Sequence, residues 1–290
     1  MSTRVFKRVG IIAKPHRPEA TEVVRQLIER LKEKGRDVVL DAETAALVGA
    51  TDSGIPKAEV PARADLLVVL GGDGTLLSVA RLVGSGETPI LGVNLGGLGF
   101  LTAITLDDLY PVLGSVLAGQ YRASRRMLLH VDVERQGEPA AEYVVLNDAV
   151  ITKGALSRIV DLEVHIEQEY VTTYRADGLI ICTPTGSTAY GLSAGGPILF
   201  PTMRALILVP ICPHTLTNRP LVLPEEVKVR VVLESQHEDV YLTLDGQVGF
   251  PLRYRDQVAV RRADREITLI APPKKSYYEI LRSKLKWGER

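Results

Sequence analysis

Two domains, an α/β domain followed by a β-rich one, are predicted from three features of the sequence. The chain has 290 residues, more than one hydrophobic core ordinarily serves. Up to about residue 120, short apolar runs alternate with segments whose apolar residues recur at helical spacing, the pattern of a parallel sheet covered by helices. Beyond that point apolar and polar residues alternate one by one, rich in β-branched types, and helical signals nearly vanish until the tail.

The first domain, residues 1–120, opens with a strand at 9–13. A helix over 19–34 carries Val23, Leu27, Ile28 and Leu31 on one face, and Gly35 stops it. Residues 37–40 read as a strand and 51–61 as a loop of mixed composition. The run 66–70 is apolar throughout, as in a strand covered on both faces. It leads into Gly71-Gly72-Asp73-Gly74-Thr75 and a helix over 76–83. A further strand at 90–94 ends in a second glycine-rich turn. In the second domain, residues 121–270, strands are predicted at 128–134, 143–151, 160–166, 227–233 and 240–244. The tail over 276–286 reads as a short helix, and residues 271–290 are expected to pack back on the first domain.

Charge and cysteine content narrow the function classes. Thirty-five Lys and Arg balance 35 Asp and Glu, so no overall field draws the chain to nucleic acid or to an anionic membrane. An anionic ligand must then be met by local groups such as backbone amides. Cys182 and Cys212 lack metal-ligand spacing and sit among apolar residues, which predicts buried thiols in a reducing compartment. The apolar run after the N-terminal charges is too short for a signal peptide. No stretch approaches the roughly 18 apolar residues of a membrane span. A soluble, cytoplasmic protein is expected. His16, His130, His165, His214 and His237 show no HxxxH or HExxH spacing, and no Ser-His-Asp signature stands out. Arg122, Arg125 and Arg126 read as a solvated face.

The strongest chemical signal is the loop at 71–75. Its glycines let the backbone approach a phosphate with no Cβ in the way. The helix behind it offers unpaired amides and the positive end of its dipole. A carboxylate in such a loop is electrostatically unfavourable, so Asp73 needs a purpose. Orienting or deprotonating an attacking hydroxyl is one; capping the helix is the plain structural alternative. The loop is not a P-loop, since no Gly-Lys-Ser/Thr follows, and GxGxxG is absent after the first strand.

Three other places interrupt apolar strands with polar side chains. Asn147-Asp148 stands at the end of YVVLND, where a turn would also use these residues. Asp177-Gly178 opens the densest concentration of Gly, Ser and Thr in the chain, with hydroxyls for a polar ligand and Tyr190 as an aromatic face. Asp245-Gly246-Gln247 follows the last of these strands, where a hairpin turn is the structural alternative.

In this order the runs resemble the NAD kinase family. The matching segments are GGDGT at 71–75, GVNLGGLGFLT at 92–102, LND at 146–148, DGLIICTPTGSTAYGLSAGGP at 177–197, PICPHTLTNRPLVLP at 210–224 and DGQ at 245–247. GGDGT is shared with diacylglycerol and sphingosine kinases, and phosphofructokinases carry a related GGDG; the runs containing TPTGSTAY and PHTLTNRP are far more specific. The resemblance implies an α/β N-terminal domain of phosphofructokinase-like character and an all-β C-terminal domain, with NAD in the cleft between them. The implied reaction moves the γ-phosphoryl of ATP to the 2′-hydroxyl of the adenosine ribose of NAD, giving NADP and ADP.

By the same resemblance, Asp73 orients and deprotonates that hydroxyl, while Gly71, Gly72, Gly74 and Thr75 help hold the donor phosphates. Asn147, Thr188 and Ala189 surround the adenine, with Phe100 and Tyr190 as apolar walls, and Asp148 meets the ribose hydroxyls. Ser193, Asp245 and Gln247 complete the set around NAD. Asp177 matches a position that reaches a neighbouring subunit's site, which implies a homodimer or homotetramer; Arg175 sits where relatives vary and bears on the choice between NAD and NADH. Many members have Asn-Glu where this chain has Asn147-Asp148, so the shorter side chain falls about 1.5 Å short of the usual reach. With no P-loop lysine, a divalent cation, Mg2+, is expected to neutralise the phosphates; its protein ligands are not legible. Two rivals remain, a lipid kinase with the same loop, which would need a membrane-facing segment, and a nucleotide sensor that has lost catalysis.

Overall fold

The computed structural model describes residues 6–15, 18–83, 88–215, 217–236, 239–272 and 275–288. Two compact units are present, Met1–Arg125 with Ile267–Arg290, and Arg126–Glu266. His16 and His237 lie outside the described residues.

The first unit is a parallel sheet with helices. In chain order it contains β1 (Arg8–Ala13), α1 (Pro18–Glu33), β2 (Asp37–Asp41), α2 (Ala42–Val48), β3 (Gly54–Ile55), α3 (Val60–Arg63), β4 (Leu66–Leu70), α4 (Asp73–Ala80), β5 (Ile90–Val93) and α5 (Leu106–Leu117). The strand order is β5-β4-β1-β2-β3, all parallel. β4 is buried at every position, as its unbroken apolar run requires. Val24, Leu27 and Leu31 of α1 pack with Ile11, Val68 and Val93 in one core. Three helices of this unit, α2, α3 and α5, were not predicted. Pro111 lies inside α5 and Gly114 follows it, which masks a buried face of Leu109, Val112, Leu113 and Val116. The expected loop at 51–61 holds β3 and two single-turn helices.

One boundary matters for chemistry. The helix expected from residue 76 begins at Asp73, with Gly72 as its N-cap and no side-chain capping bond. Asp73 therefore stands in the first helical turn and does not cap it.

The second unit is a two-layered β-structure. Its strands are β6 (Arg122–Arg135), β7 (Glu138–Val145), β8 (Asp148–Lys153), β9 (Val160–Ile166), β10 (Glu169–Ala176), β11 (Gly178–Cys182), β12 (Ala205–Ile211), β13 (Leu221–Pro224), β14 (Val229–Leu233), β15 (Val240–Leu244), β16 (Val248–Leu252) and β17 (Gln257–Ala271), with a short helix, α6 (Tyr190–Ser193). An antiparallel sheet runs β13-β12-β11-β8-β15-β16. β9, β10, β14 and β17 pair antiparallel in the other layer, beside the β6–β7 hairpin. Strand alternation sorts side chains to two faces. Ala149, Ile151, Leu179 and Ile181 enter the large core between the layers. Val150, Ile180 and Cys182 face the other way, under Ala194 and Leu199. The predicted strand 143–151 is two strands, parted at Leu146-Asn147. β6 and β17 run across the boundary; the last residues of β17 lie beside β5, with Leu269 paired to Ile90. The tail forms α7 (Tyr277–Leu285) in the first unit, with Ser276 and Glu279 in a reciprocal capping box.

Candidate active site

In the first unit, a carboxylate and a turn are locked together. Asp73 Oδ2 accepts from the amide of Phe100 at 2.8 Å. Asp73 Oδ1 accepts from the amides of Leu101 (3.1 Å) and Thr102 (2.9 Å) and from Thr102 Oγ1 (2.8 Å). A carboxylate has about four lone-pair sites, so Oδ1 is saturated while Oδ2 keeps one. Gly99 completes the lock, because a Cβ there would collide with Asp73 Oδ1 and Thr102 Oγ1. Gly71 is likewise closed to a side chain, here by Thr75. At the helix start a Cβ on Gly72 would meet nothing within 4 Å, and Gly74 is exposed. Phe100 is half-buried, and the Lys284 ammonium stands 5.7 Å from its ring centroid.

In the second unit, three turns meet at one end of the six-stranded sheet. Asp148 begins β8 opposite Cys182, the last residue of β11. Beyond Cys182 the chain folds back on residue 147. The Thr183 amide donates to the Asn147 carbonyl at 2.9 Å, and Thr183 Oγ1 donates to the Leu146 carbonyl at 2.6 Å while accepting from the Gly186 amide at 3.0 Å. A Cβ on Gly186 would strike the Asn147 backbone. Thr188 Oγ1 bonds back to the Thr185 carbonyl, and the Ala189 amide to Gly186. The third turn is the β15–β16 hairpin, whose central residues Asp245 and Gly246 both have positive φ, 50° and 64°, as a type I′ turn requires. The carboxylate of Asp245 accepts from the amides of Leu146 (3.1 Å), Asn147 (2.7 Å) and Asp148 (3.3 Å). Tyr190, 56% exposed, lies with its ring against Gly246.

The result is a set of polar groups without partners. Asn147 Oδ1 and both carboxylate oxygens of Asp148 are buried and, among the described residues, accept no hydrogen bond. Burial, and then the charge of Asp245, push the Asp148 carboxyl up to about 7. Burial, with Asp148 adding to it, pushes the Cys182 thiol up too, so it behaves as an inert packing group. For Asp148 the sign is fixed. Unfolded, the carboxyl ionises near 3.8, while folded it stays protonated to about 7. Stability is therefore lost as pH rises through that window. Asp148→Asn is expected to raise Tm by about 3 °C or more at pH 8, with the gain vanishing near pH 4. Thermal melts across pH check this; a gain independent of pH would contradict it.

Most predicted positions of the second unit converge here: Asn147, Asp148, Thr188, Ala189, Tyr190, Asp245 and Gln247, with exposed Ser193 closing α6. Two do not. Asp177 precedes β11 at its opposite end, about 17 Å along the strand from Cys182, and its carboxylate stands 3.8 Å from Lys153 Nζ. Arg175 is 71% exposed and pairs with Asp161 at 3.2 Å. Arg126 is not a solvated charge, since it is half-buried and donates to Thr185 Oγ1 at 3.3 Å. Cys212, expected to be buried, is exposed with φ of 45°.

Sequence reading passed over Thr183, Gly99 and Thr102. Thr183 carries a readable sign, a hydroxyl residue directly after an apolar strand. His130 Nε2 also lies 2.8 Å from Asp132 and 3.5 Å from Glu142 on the β6–β7 hairpin. Among the described residues these three alone cluster as metal ligands do. They share one strand face, a spacing that a search for helical motifs misses. No helix among the described residues is long and apolar enough to cross a membrane.

Comparison with known proteins bears on both units. The family models for the ATP-NAD kinase N-terminal and C-terminal domains match residues 9–121 and 146–271. An NAD kinase of Geobacter sulfurreducens is 54% identical over 285 residues, covering 98% of this chain and all of its own. An NAD kinase of Solibacter usitatus is 50% identical over 286 residues, covering 99% of each. Among solved structures, yeast NADH kinase complexed with NADH matches with a TM-score of 0.89 at 27% identity, over 99% of this chain and 89% of the other. An Archaeoglobus fulgidus NAD kinase in complex with ATP shares the fold, with a TM-score of 0.75 at 24% identity over 96% and 98%. Both units, and nearly the whole chain, thus lead to the same place: the chain belongs to the NAD kinase family.

Proposed function

We propose that this protein phosphorylates NAD, moving the γ-phosphoryl of ATP to the 2′-hydroxyl of the adenosine ribose and releasing NADP and ADP. The observation that carries this reading is the buried trio of acceptors on Asn147 and Asp148. Buried polar groups without partners are costly, and an adenosine brings the matching donors. The adenine amino group suits Asn147 Oδ1, and the ribose hydroxyls suit the Asp148 carboxylate. Thr188, Ala189, Tyr190, Ser193 and Gln247 are assigned to the same nucleotide, with Phe100 as an apolar contact. The related NAD kinases, and the homologous structures in complex with NADH and with ATP, support the same substrates.

Asp73 is the residue for the proton. Its loop fixes the carboxylate through four donors, and Oδ2 keeps a lone pair for the attacking hydroxyl. As the hydroxyl oxygen bonds to the γ-phosphorus, its proton passes to Asp73 Oδ2 and the bond to ADP breaks. Gly71, Gly72, Gly74 and Thr75 hold the donor phosphates at the start of α4. Among the described residues no set of three ligating side chains forms at this loop. A divalent cation, Mg2+, would therefore arrive on the phosphates of ATP, where it would neutralise their charge. Asp177, before the far end of β11 from Cys182, is assigned to the site of a second copy in a homodimer or homotetramer, and Arg175 to the choice between NAD and NADH.

Incubating the purified protein with NAD, ATP and Mg2+ tests the reading. NADP is expected; its absence, or phosphorylation of diacylglycerol in place of NAD, overturns it. Asp148→Ala should raise KM for NAD at least ~10-fold, the scale of a lost charged hydrogen bond, while Asp148→Glu keeps substantial activity. Equal activity in all three proteins would remove the ribose role.

A further inference from the structure

We propose that Asp245 is a positioning residue for NAD, which presents Asn147 and Asp148 to the adenosine without touching it. The inference rests on the reading that these two side chains receive NAD. Asp245 is 6% exposed, and its carboxylate accepts from the amides of Leu146, Asn147 and Asp148 at 2.7–3.3 Å. The Asp245 amide in turn donates to the Asp148 carbonyl at 3.0 Å. Three successive residues of the break between β7 and β8 are thus held by one side chain from another hairpin. Thr183 holds the same two residues from the other side, through the carbonyls of Leu146 and Asn147.

A neutral residue would supply part of this bonding, and the charge has its own effect. The titratable groups packed against Asp148 are Asp245, from the β15–β16 turn, and the thiol of Cys182, opposite it on β11. Asp245 makes it harder for Asp148 to ionise in the empty site. A ribose, whose hydroxyls donate to a carboxylate, makes it easier. Affinity for NAD should therefore rise as pH rises through about 7, and Asp245 sets where that rise falls.

The experiment measures KM for NAD, kcat and the pH dependence of KM in Asp245→Asn, Asp245→Glu and Thr183→Val. Asp245→Asn should raise KM at least ~10-fold with kcat changed less than about 3-fold, as for a binding effect, and should move the midpoint of the KM profile to lower pH. Asp245→Glu keeps the charge but displaces the amides, so KM should rise with the midpoint unmoved. Thr183→Val loosens the same segment without touching charge and should behave as Asp245→Glu does. NAD titration of the folded protein, checked by circular dichroism, separates these effects from lost folding, and the Glu variant carries the test if the Asn variant does not fold. An unchanged KM in both Asp245 variants overturns the proposal. So does a raised KM in Asp245→Asn with an unmoved midpoint, the mark of a direct contact. If Asp148→Ala leaves KM unchanged, the assignment of the NAD site itself fails, whatever Asp245 does.

Discussion

Asp73→Asn is expected to lower kcat at least ~100-fold, the usual scale of a lost general base, with KM for NAD within about 3-fold of the parent. The geometry adds a second consequence. With its oxygen toward Leu101 and Thr102, asparagine would turn its amino group onto the amide of Phe100, donor against donor. Turned the other way, it would face three donors at once. Either choice leaves at least one part-buried bond unmade, a cost of about 1 kcal/mol, so a lower Tm should accompany the lost turnover. Steady-state kinetics and a melting curve on the same preparation check both. Near-parental turnover would remove Asp73 from the chemistry, and an unchanged Tm would contradict the lock with residues 100–102.

Gly186→Ala is expected to lower kcat/KM for NAD about 100-fold, the cost of a displacement near 1 Å in a reacting geometry. A Cβ there would come within 2.6 Å of the Asn147 carbonyl carbon and 2.7 Å of its Cα. These are backbone atoms, so no rotamer change relieves the clash. Asn147 cannot retreat, since Thr183 holds its carbonyl and Asp245 its amide. The loop bearing Thr188 and Ala189 must move away from the residue it works with. Gly114→Ala is the control: a Cβ there meets nothing within 4 Å, and alanine suits a helix better by roughly 1 kcal/mol. Equal kinetics for the two variants would show that the contact at Gly186 yields.

Much of the fold was legible because burial writes itself into sequence. Leu66–Leu70, Val160–Ile166 and Val240–Leu244 were placed at their observed ends, each an unbroken or strictly alternating run. Elements held by context were not. α5 carries Pro111 within its span, and β3 is two residues long. At the site, residue types that need a reason were visible, such as Asp73 among glycines and Asn147-Asp148 at a strand break. Their partners were not, because hydrogen bonds to backbone amides leave no mark on the donor residue. Phe100 and Leu101 would serve Asp73 with almost any side chains, as Leu146 and Asn147 would serve Asp245. What gives such contacts away is the glycine that makes room for them, at 99 and at 186.

β8 buries Ala149 and Ile151 in one core and Val150 in the other. A slip of one residue against β11 and β15 would send Asp148 into the large core and its neighbours out of it. An unpaired carboxyl there would be set among apolar side chains. The side chain proposed above for the ribose therefore also opposes misregistered pairing in the middle of the sheet. Insertions or deletions between residues 148 and 153 should be selected against even in a protein that no longer phosphorylates anything.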